Sequence, residues 1–266
     1  MNKYEFLKKH PKLNEVILNR RNNIKITGGN LYLDNPHFAG NKIMLSGAEN
    51  SVKFENDAYM RYSGLNINGK KNSMHVKNGT IITGGSQIVI KGDDNIIEIG
   101  ENCSLTNIDL HISGDRNYIV IGSDSSIVYT AVMMERYENK VYIGQKCTFH
   151  GRENARVSLH LDEKTTITIG NDCMISNAVH LMSTDSHTIM DLSGKRLNKA
   201  EDIHIGNHCW ICMRVLCMKG TQIGSDSVVG AASVVNKKYD QEHCLIAGNP
   251  AKVVREDISW DRERLE

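Results

Sequence analysis

Proline and aromatic side chains are scarce in this sequence, and long hydrophobic runs are missing. The chain has 3 prolines against 22 glycines in 266 residues, and aromatic residues make up 6% of it. No apolar run reaches the roughly 18 residues that a membrane-spanning helix needs, so no membrane span is predicted. The first residues carry charges every few positions, which does not fit a secretory signal, and a cytoplasmic location is expected.

An excess of charge of either sign is also missing. There are 32 basic and 31 acidic residues, for a net charge of +1, whereas a general nucleic-acid or anionic-membrane binder normally shows a basic excess. Neither kind of partner is expected. The seven cysteines, an odd number, are expected to stay reduced in the cytoplasm.

An internal repeat dominates what the sequence does contain. An asparagine opens each of five predicted strands at intervals of 22 or 23 residues, and Ile-Gly pairs keep the same period. Later Ile-Gly pairs are spaced 36 and then 18 residues apart, which indicates 18-residue coils with one coil's length of chain inserted. The asparagines are Asn50, Asn72, Asn95, Asn117 and Asn139, and the glycines are Gly100, Gly122, Gly144, Gly170, Gly206 and Gly224.

Units this short cannot bury an apolar face alone. Stacked at the strand spacing of roughly 4.8 Å, they form a continuous core and pair their backbones. The repeats therefore predict an all-β protein, a parallel β-helix solenoid with short helical ends. We expect a helical cap over 1–28, 22-residue coils over 29–168, 18-residue coils over 169–255, and a charged helix or extended arm over 256–266.

The cysteines follow the same repeat. Four of them lie three residues after an Ile-Gly glycine, where a coil needs a small inward-facing side chain: Cys103, Cys147, Cys173 and Cys209. Cys209 and Cys212 are spaced like a zinc or redox pair, but the repeat accounts for Cys209 and no second such pair exists. We predict a structural thiol column and no metal.

The hexads over 169–255 resemble those of the hexapeptide-repeat acyltransferases, especially the polysaccharide and sugar O-acetyltransferases. One such hexad is Ile-Gly-Asn-Asp-Cys-Met from Ile169, and the run Ala-Gly-Asn-Pro-Ala-Lys from Ala247 is similar to the family's closing signature. The resemblance implies a left-handed β-helix here, acetyl-CoA as co-substrate and a homotrimer with the acetyl-CoA groove between copies. Over 29–168 it is weaker, and the hand of the 22-residue coils stays open.

The inserted stretch, 182–202, contains the string Ser-Thr-Asp-Ser-His-Thr-Ile, which is similar to the family's catalytic loop. The resemblance implies that His187 is the general base, because imidazole accepts a hydroxyl proton near neutral pH. Asp185 or Asp191 could orient His187 or only cap a turn, and we favour a functional role for Asp185. Trp210 is similar in place to a tryptophan beside the thioester in such enzymes, or fills a subunit interface.

The resemblance also implies that CoA lies along the C-terminal coils. Small residues let a pantetheine arm approach the backbone, and cations meet the phosphates, although a solvated basic cluster is the alternative. Cys212 departs from the family, which usually has glycine at this place. The expected cofactor contacts are Trp210, Gly230, Ala231, Ala232, Lys237, Lys238, Lys252 and Arg255, with Lys237 and Arg255 favoured among the cations.

The leading hypothesis is an acetyl-CoA-dependent O-acetyltransferase that modifies a capsular, O-antigen or related sugar by direct transfer in a ternary complex. The alternatives are an N-acetyltransferase of an amino-sugar nucleotide, a xenobiotic acetyltransferase, a non-catalytic scaffold and a γ-type carbonic anhydrase with zinc on three histidines. Residues 40–168 could also present a polymer-binding surface through exposed, Asn-rich corners. Candidate zinc ligands are His150, His160, His180, His204 and His208.

Overall fold

The computed structural model describes residues 22–34 and 36–263, which form a single three-sided β-solenoid. Within these residues no helix is present. The strands are β1 (Asn23–Ile26), β2 (Asn30–Leu33), β3 (His37–Ala39), β4 (Lys42–Ala48), β5 (Ser51–Phe54), β6 (Tyr59–Arg61), β7 (Gly64–Lys70), β8 (Ser73–Val76), β9 (Ile81–Thr83), β10 (Gln87–Lys91), β11 (Ile96–Ile99), β12 (Ser104–Thr106), β13 (Asp109–Ser113), β14 (Tyr118–Ile121), β15 (Ser126–Val128), β16 (Thr130–Glu135), β17 (Lys140–Ile143), β18 (Thr148–His150), β19 (Val157–Leu161), β20 (Thr166–Ile169), β21 (Met174–Ile175), β22 (His180–Met182), β23 (Ile203–Ile205), β24 (Trp210–Ile211), β25 (Leu216–Met218), β26 (Gln222–Ile223), β27 (Val228–Val229), β28 (Val234–Val235), β29 (Lys238–Tyr239), β30 (Leu245–Gly248) and β31 (Ala251–Arg255).

Every third strand belongs to the same sheet. The first sheet runs from β1 through β4 to β28, the second from β2 through β5 to β29, and the third from β3 through β6 to β30, with β31 added at its end. Strands pair in parallel along each sheet, and only β31 turns back antiparallel to β30. Because all three sheets run unbroken in chain order, the chain cannot reverse its direction of winding. The 22-residue and 18-residue coils therefore share one hand.

The core is a column of aliphatic side chains inside the three sheets. Burial alternates along each strand, as in β10, where Ile88 and Ile90 are buried and their neighbours face outward. Such alternation is what the period of two in a strand gives when one face is covered. The predicted thiol column is confirmed: Cys103, Cys147, Cys173 and Cys209 are all buried, and the seven cysteines are free. The Cys147 thiol, for example, lies 3.1 Å from the carbonyl oxygen of Gly170 in the next coil.

The repeated asparagines form a buried ladder. The side-chain amide of each donates to the side-chain oxygen of the asparagine one coil before it, at 2.9–3.0 Å from Asn72 to Asn139. These residues are at most 1% exposed. The five ladder asparagines are therefore not exposed corner residues, since a buried amide must be hydrogen-bonded and each coil supplies the partner for the next. A polymer-binding surface on residues 40–168 stays a prediction.

A column of glycines turns the chain from the first sheet to the second in the 22-residue coils. Gly47, Gly69, Gly92 and Gly114 have φ values between 105° and 148°. A Cβ on Gly69 would lie 1.9 Å from the carbonyl oxygen of Gly92. The stacked corner backbones are thus too close for any side chain at these positions.

The described residues at both ends of the solenoid are not helical. Asn23–Ile26 is a strand, because Ile24 and Ile26 pack against the core and the backbone pairs with β4. Residues 1–21 of the predicted cap lie outside the described residues. The tail over 256–263 is not helical, because Trp260 and Arg262 bind the outer surface of the third sheet.

The insertion occupies the turn from the first sheet to the second between β22 and β23. It spans 183–202, one residue from the predicted start. The coils before and after it pair across the gap through β20 with β23, so the stack continues past the insertion.

Candidate active site

His187 lies in the insertion with its backbone held and its side chain exposed. Its N–H donates to the carbonyl oxygen of Asp185 at 2.7 Å, and its carbonyl accepts from the side chain of Asn198 at 2.7 Å. Ser186, between them, has a φ of 62°, in the left-handed region that such tight turns use. The insertion therefore presents the imidazole to solvent from a fixed turn.

Asn198 connects the two halves of the insertion. Its side-chain nitrogen donates to Asp185 Oδ2 at 2.8 Å as well as to the His187 carbonyl, and its Oδ1 accepts from the N–H of Ile189 at 2.6 Å. The residue is 7% exposed. Asn198 is not among the predicted site residues, because no repeat or motif marks it within a polar stretch.

Asp185 is bound by two side chains from outside the turn of His187. Its carboxylate contacts the ammonium group of Lys219, in the next coil, and accepts from Asn198. Lys219 holds the pKa of the Asp185 carboxyl below its ordinary value. These contacts hold the turn and Lys219 together, and a role of Asp185 in orienting the ring of His187 stays a prediction.

Asp191 caps a turn further along the insertion. Its Oδ1 accepts from the N–H groups of Ser193 and Lys195, each at 2.9 Å, and from the Ser193 hydroxyl at 2.6 Å. Of the two roles that the sequence leaves open for Asp191, the structure displays the turn cap.

The insertion is also tied to the preceding coil. Arg196 Nη2 lies 2.6 Å from Glu163 Oε1 and 2.8 Å from the carbonyl oxygen of Asn198. The Glu201 N–H donates to the Ser183 carbonyl at 3.0 Å. These bonds close the base of the loop, so its conformation is fixed at both ends.

A groove runs beside the insertion along the edge between the first and second sheets. It has a volume of about 700 Å³ and is bordered by Glu201 of the insertion. Lys219, the partner of Asp185, contributes to its wall, so the groove reaches the turn that carries His187. The groove combines an apolar floor, Leu216, Met218 and Val234, with three lysines, Lys219, Lys237 and Lys238.

The predicted cofactor residues divide among different parts of one copy. Lys237 and Lys238 line the groove beside the insertion. The segment 230–232 lies at the turn from the third sheet to the first, between β27 and β28. Lys252 and Arg255 lie exposed on β31, at the end of the third sheet.

Trp210 is on the third sheet, away from the edge that carries the insertion. Its indole N–H donates to the Ser176 hydroxyl at 3.2 Å. The tail covers it: the ring of Trp260 lies 5.9 Å from that of Trp210 and stacks on His208 at 4.4 Å. Trp210 and His187 of a single copy are therefore separated.

Relatives with named activities match between about half and three quarters of the chain. A polysialic acid O-acetyltransferase of Neisseria meningitidis is 32% identical over 205 residues, which cover 73% of this chain and 88% of that protein. A polysialic acid O-acetyltransferase of Escherichia coli O1:K1 / APEC is 35% identical over 125 residues, 47% of this chain and 39% of that protein. The crystal structure of the polySia-specific acetyltransferase NeuO has a TM-score of 0.56 and 27% identity, and the match covers 91% of this chain and 89% of that one. No family model matches the chain.

The chain belongs to the hexapeptide-repeat acyltransferases. The family membership that the hexads and the insertion predict is thereby confirmed. The protein is an acyltransferase. The left-handed winding expected of this family applies to the 22-residue coils as well, because the three continuous sheets give both parts one hand.

Two other chemistries, an acetyl-cysteine intermediate on Cys212 and a zinc site on histidines, find no assembled site among the described residues. Burial raises the pKa of the Cys212 thiol to about 11, so little thiolate is available to carry an acetyl group at neutral pH. His150 is on the third sheet, His160 and His180 on the first and His204 on the second. Among the described residues no three His, Cys, Asp or Glu side chains form a group that could hold a metal ion. Within the same residues there is also no helix of the length and apolar character needed to cross a membrane.

Proposed function

We propose that this acyltransferase moves the acetyl group of acetyl-CoA to a hydroxyl of a surface polysaccharide, with His187 as the general base. The observation that carries the proposal is the adjacency of the exposed His187 turn and the lysine-lined groove, joined by the contact between Asp185 and Lys219. The names of the relatives, two polysialic acid O-acetyltransferases, support a polysaccharide acceptor.

The reaction is a direct transfer in a ternary complex. The imidazole of His187 accepts the proton of the acceptor hydroxyl while that oxygen attacks the thioester carbonyl carbon. The carbon–sulfur bond then breaks, and the CoA thiolate takes the proton from the imidazolium. Acetylated sugar and CoA-SH leave, and His187 returns to its neutral form.

The groove suits the donor. The floor formed by Leu216, Met218 and Val234 would cover a pantetheine arm, and the ammonium groups of Lys237 and Lys238 would meet phosphates as point charges. Lys219 already has Asp185 as a partner, so it would act mainly by holding the turn of His187 beside the thioester end.

A homotrimer would explain why Trp210 and His187 are separated within one copy. The outer face of the first sheet carries no charged strand residue over its last coils apart from Glu135 at the end of β16, and Nε2 of His160 on that face is buried without a partner among the described residues. If this face packs against the third sheet of the next copy, Trp210 comes close to the neighbouring insertion. The outward residues of this face other than Glu135 are Ala131, Met133, Ser158, His160, His180, Met182, Leu216, Met218 and Val234.

The test is thiol release from acetyl-CoA, with and without polysialic acid and other bacterial polysaccharides. His187→Ala should lower acceptor-dependent release by roughly 10²–10⁴-fold, while the control His243→Ala, another exposed histidine, should not. Mixing inactive His187→Ala with inactive Trp210→Ala copies should restore part of the activity, since one kind of interface then holds both intact residues. A wild-type protein that neither binds nor cleaves acetyl-CoA contradicts the proposal.

A further inference from the structure

The edge between the first and second sheets continues on the N-terminal side of the insertion. Tyr137 is in the corner between β16 and β17, and Lys164 in the next corner, between β19 and β20. Since stacked strands are about 4.8 Å apart, Tyr137 lies two coils, or roughly 10 Å along the axis, from the corner that carries His187. The proposed donor groove occupies the other side of the insertion, so this N-terminal side is open to the acceptor.

Tyr137 interrupts a regular feature of these corners. Asp93 accepts the N–H of Lys70 at 2.8 Å, and Asp115, one coil on, accepts the N–H of Asp93 at 2.8 Å. Tyr137 holds the corresponding place in the next coil and has no carboxylate with which to continue the series. The fold therefore gives no reason for an aromatic side chain at this corner.

The ring is exposed and lies between two cations. Tyr137 is 44% exposed, with Lys164 Nζ at 5.0 Å and Arg116 Cζ at 5.7 Å from the ring centroid. Both cations pair with Glu138, each at 3.0 Å, yet their side chains keep 56% and 53% of their surface exposed. Two cations that share one carboxylate leave a net positive charge beside a partly exposed aromatic ring.

We propose that Tyr137, Arg116 and Lys164 form a subsite that binds an acidic sugar unit of the acceptor polymer on its way to His187. The apolar C–H face of a sugar ring packs on the phenol ring, and the guanidinium and ammonium groups bind the carboxylate of that unit. Glu138 holds both cations in place. The inference rests on the proposed function for the identity of the reaction, but the subsite itself is a binding site and can be measured without catalysis.

The experiment measures binding of polysialic acid oligomers by calorimetry and, separately, acetyl transfer as a function of polymer concentration. Tyr137→Ala should raise the Kd and the polymer KM roughly 10-fold and leave the KM for acetyl-CoA unchanged. Tyr32→Ala is the matched control, an aromatic residue that is 51% exposed on the second sheet far from the insertion. Arg116→Gln should weaken binding and make it less sensitive to salt.

The outcomes separate the two proposals. Equal Kd values for the wild type and Tyr137→Ala overturn the subsite, as does binding of neutral dextran with the same affinity as polysialic acid, or no binding of polysialic acid by the wild type. Weakened binding in Tyr137→Ala without acetyl transfer by the wild type would support the subsite and contradict the proposed reaction.

Discussion

The 22-residue coils and the insertion-bearing 18-residue coils stack in the same three sheets but use their polar side chains differently. In the longer coils the corner amides are turned inward, and each asparagine from Asn72 to Asn139 satisfies the one before it. The ladder ends where Asn139 Oδ1 accepts the N–H of Thr165 at 3.2 Å. In the next coil that corner is replaced by the insertion.

The difference separates stability from chemistry along one edge of the molecule. The closed ladder uses its own amides for folding, whereas the insertion holds polar groups such as Asn198 and Asp185 that fix an exposed histidine. Long loops on a rigid scaffold commonly carry function for this reason. Substitutions in the two regions should therefore separate loss of folding from loss of activity.

The largest effect is expected at the glycine corners. Gly69→Ala places a Cβ 1.9 Å from a backbone oxygen, and we expect it to lower the free energy of unfolding by more than about 3 kcal/mol. Gly194→Ala, in the insertion, changes a glycine with a φ of 83° that has no atom within 4 Å of the new Cβ, so only about 1–2 kcal/mol of conformational strain is expected. Chemical denaturation of both variants measures the difference. Equal costs would show that the corner stack does not depend on close backbone approach.

Asn198→Ala, in the insertion, should mainly lower activity, in contrast to the loss of stability expected at the glycine corners. It removes two hydrogen bonds to the backbone of His187 and Ile189 and one to the Asp185 carboxylate, and a displacement of about 1 Å at a reacting group costs roughly 10²-fold in rate. We expect kcat to fall by about that factor, with the KM for acetyl-CoA retained. Asn102→Ala, on an exposed corner of the 22-residue coils, is the control and should be fully active. Wild-type kcat in Asn198→Ala would remove this residue from the positioning of His187.

The coil length and the site of the insertion are predictable from the sequence for a physical reason. A ladder asparagine must recur at the same place in every coil, so its spacing equals the coil length, and a break in the later repeat marks the added chain. Contacts between coils carry no such signal. Lys219 is 34 residues from Asp185 in the sequence, and Asn198 is 13 residues from it. Stacking of the coils and closure of the loop bring these side chains into contact.

The C-terminal tail is another case in which contacts between distant coils are not predictable from the sequence. The sequence predicts a charged helix or an extended arm for the tail and does not indicate what the tail binds. Trp260 donates its indole N–H to the His208 carbonyl at 2.7 Å, and Arg262 binds Asp172 at 3.0 Å. Both partners lie in coils that are distant in sequence. Secondary-structure propensity alone does not predict that these side chains bind the outer surface of the third sheet.

The smallest effect is the expected pH dependence of stability that comes from the Asp185–Lys219 ion pair between the insertion and the groove. Lys219 lowers the pKa of Asp185 in the folded protein, so the unfolded chain binds the proton more readily. The stabilisation is fully present above the ordinary aspartate pKa of about 3.9 and is lost as pH falls through the lower folded value. Asp185→Asn should therefore be less stable than the wild type at pH 7 by no more than about 1 kcal/mol, with the gap closing at the most acidic pH. Denaturation from pH 7 to about 2 measures this, with Asp57→Asn on the 22-residue coils as the control. A gap that persists at the acidic end would mean that the asparagine disturbs the insertion itself, and that the ion pair contributes nothing to holding it against the groove.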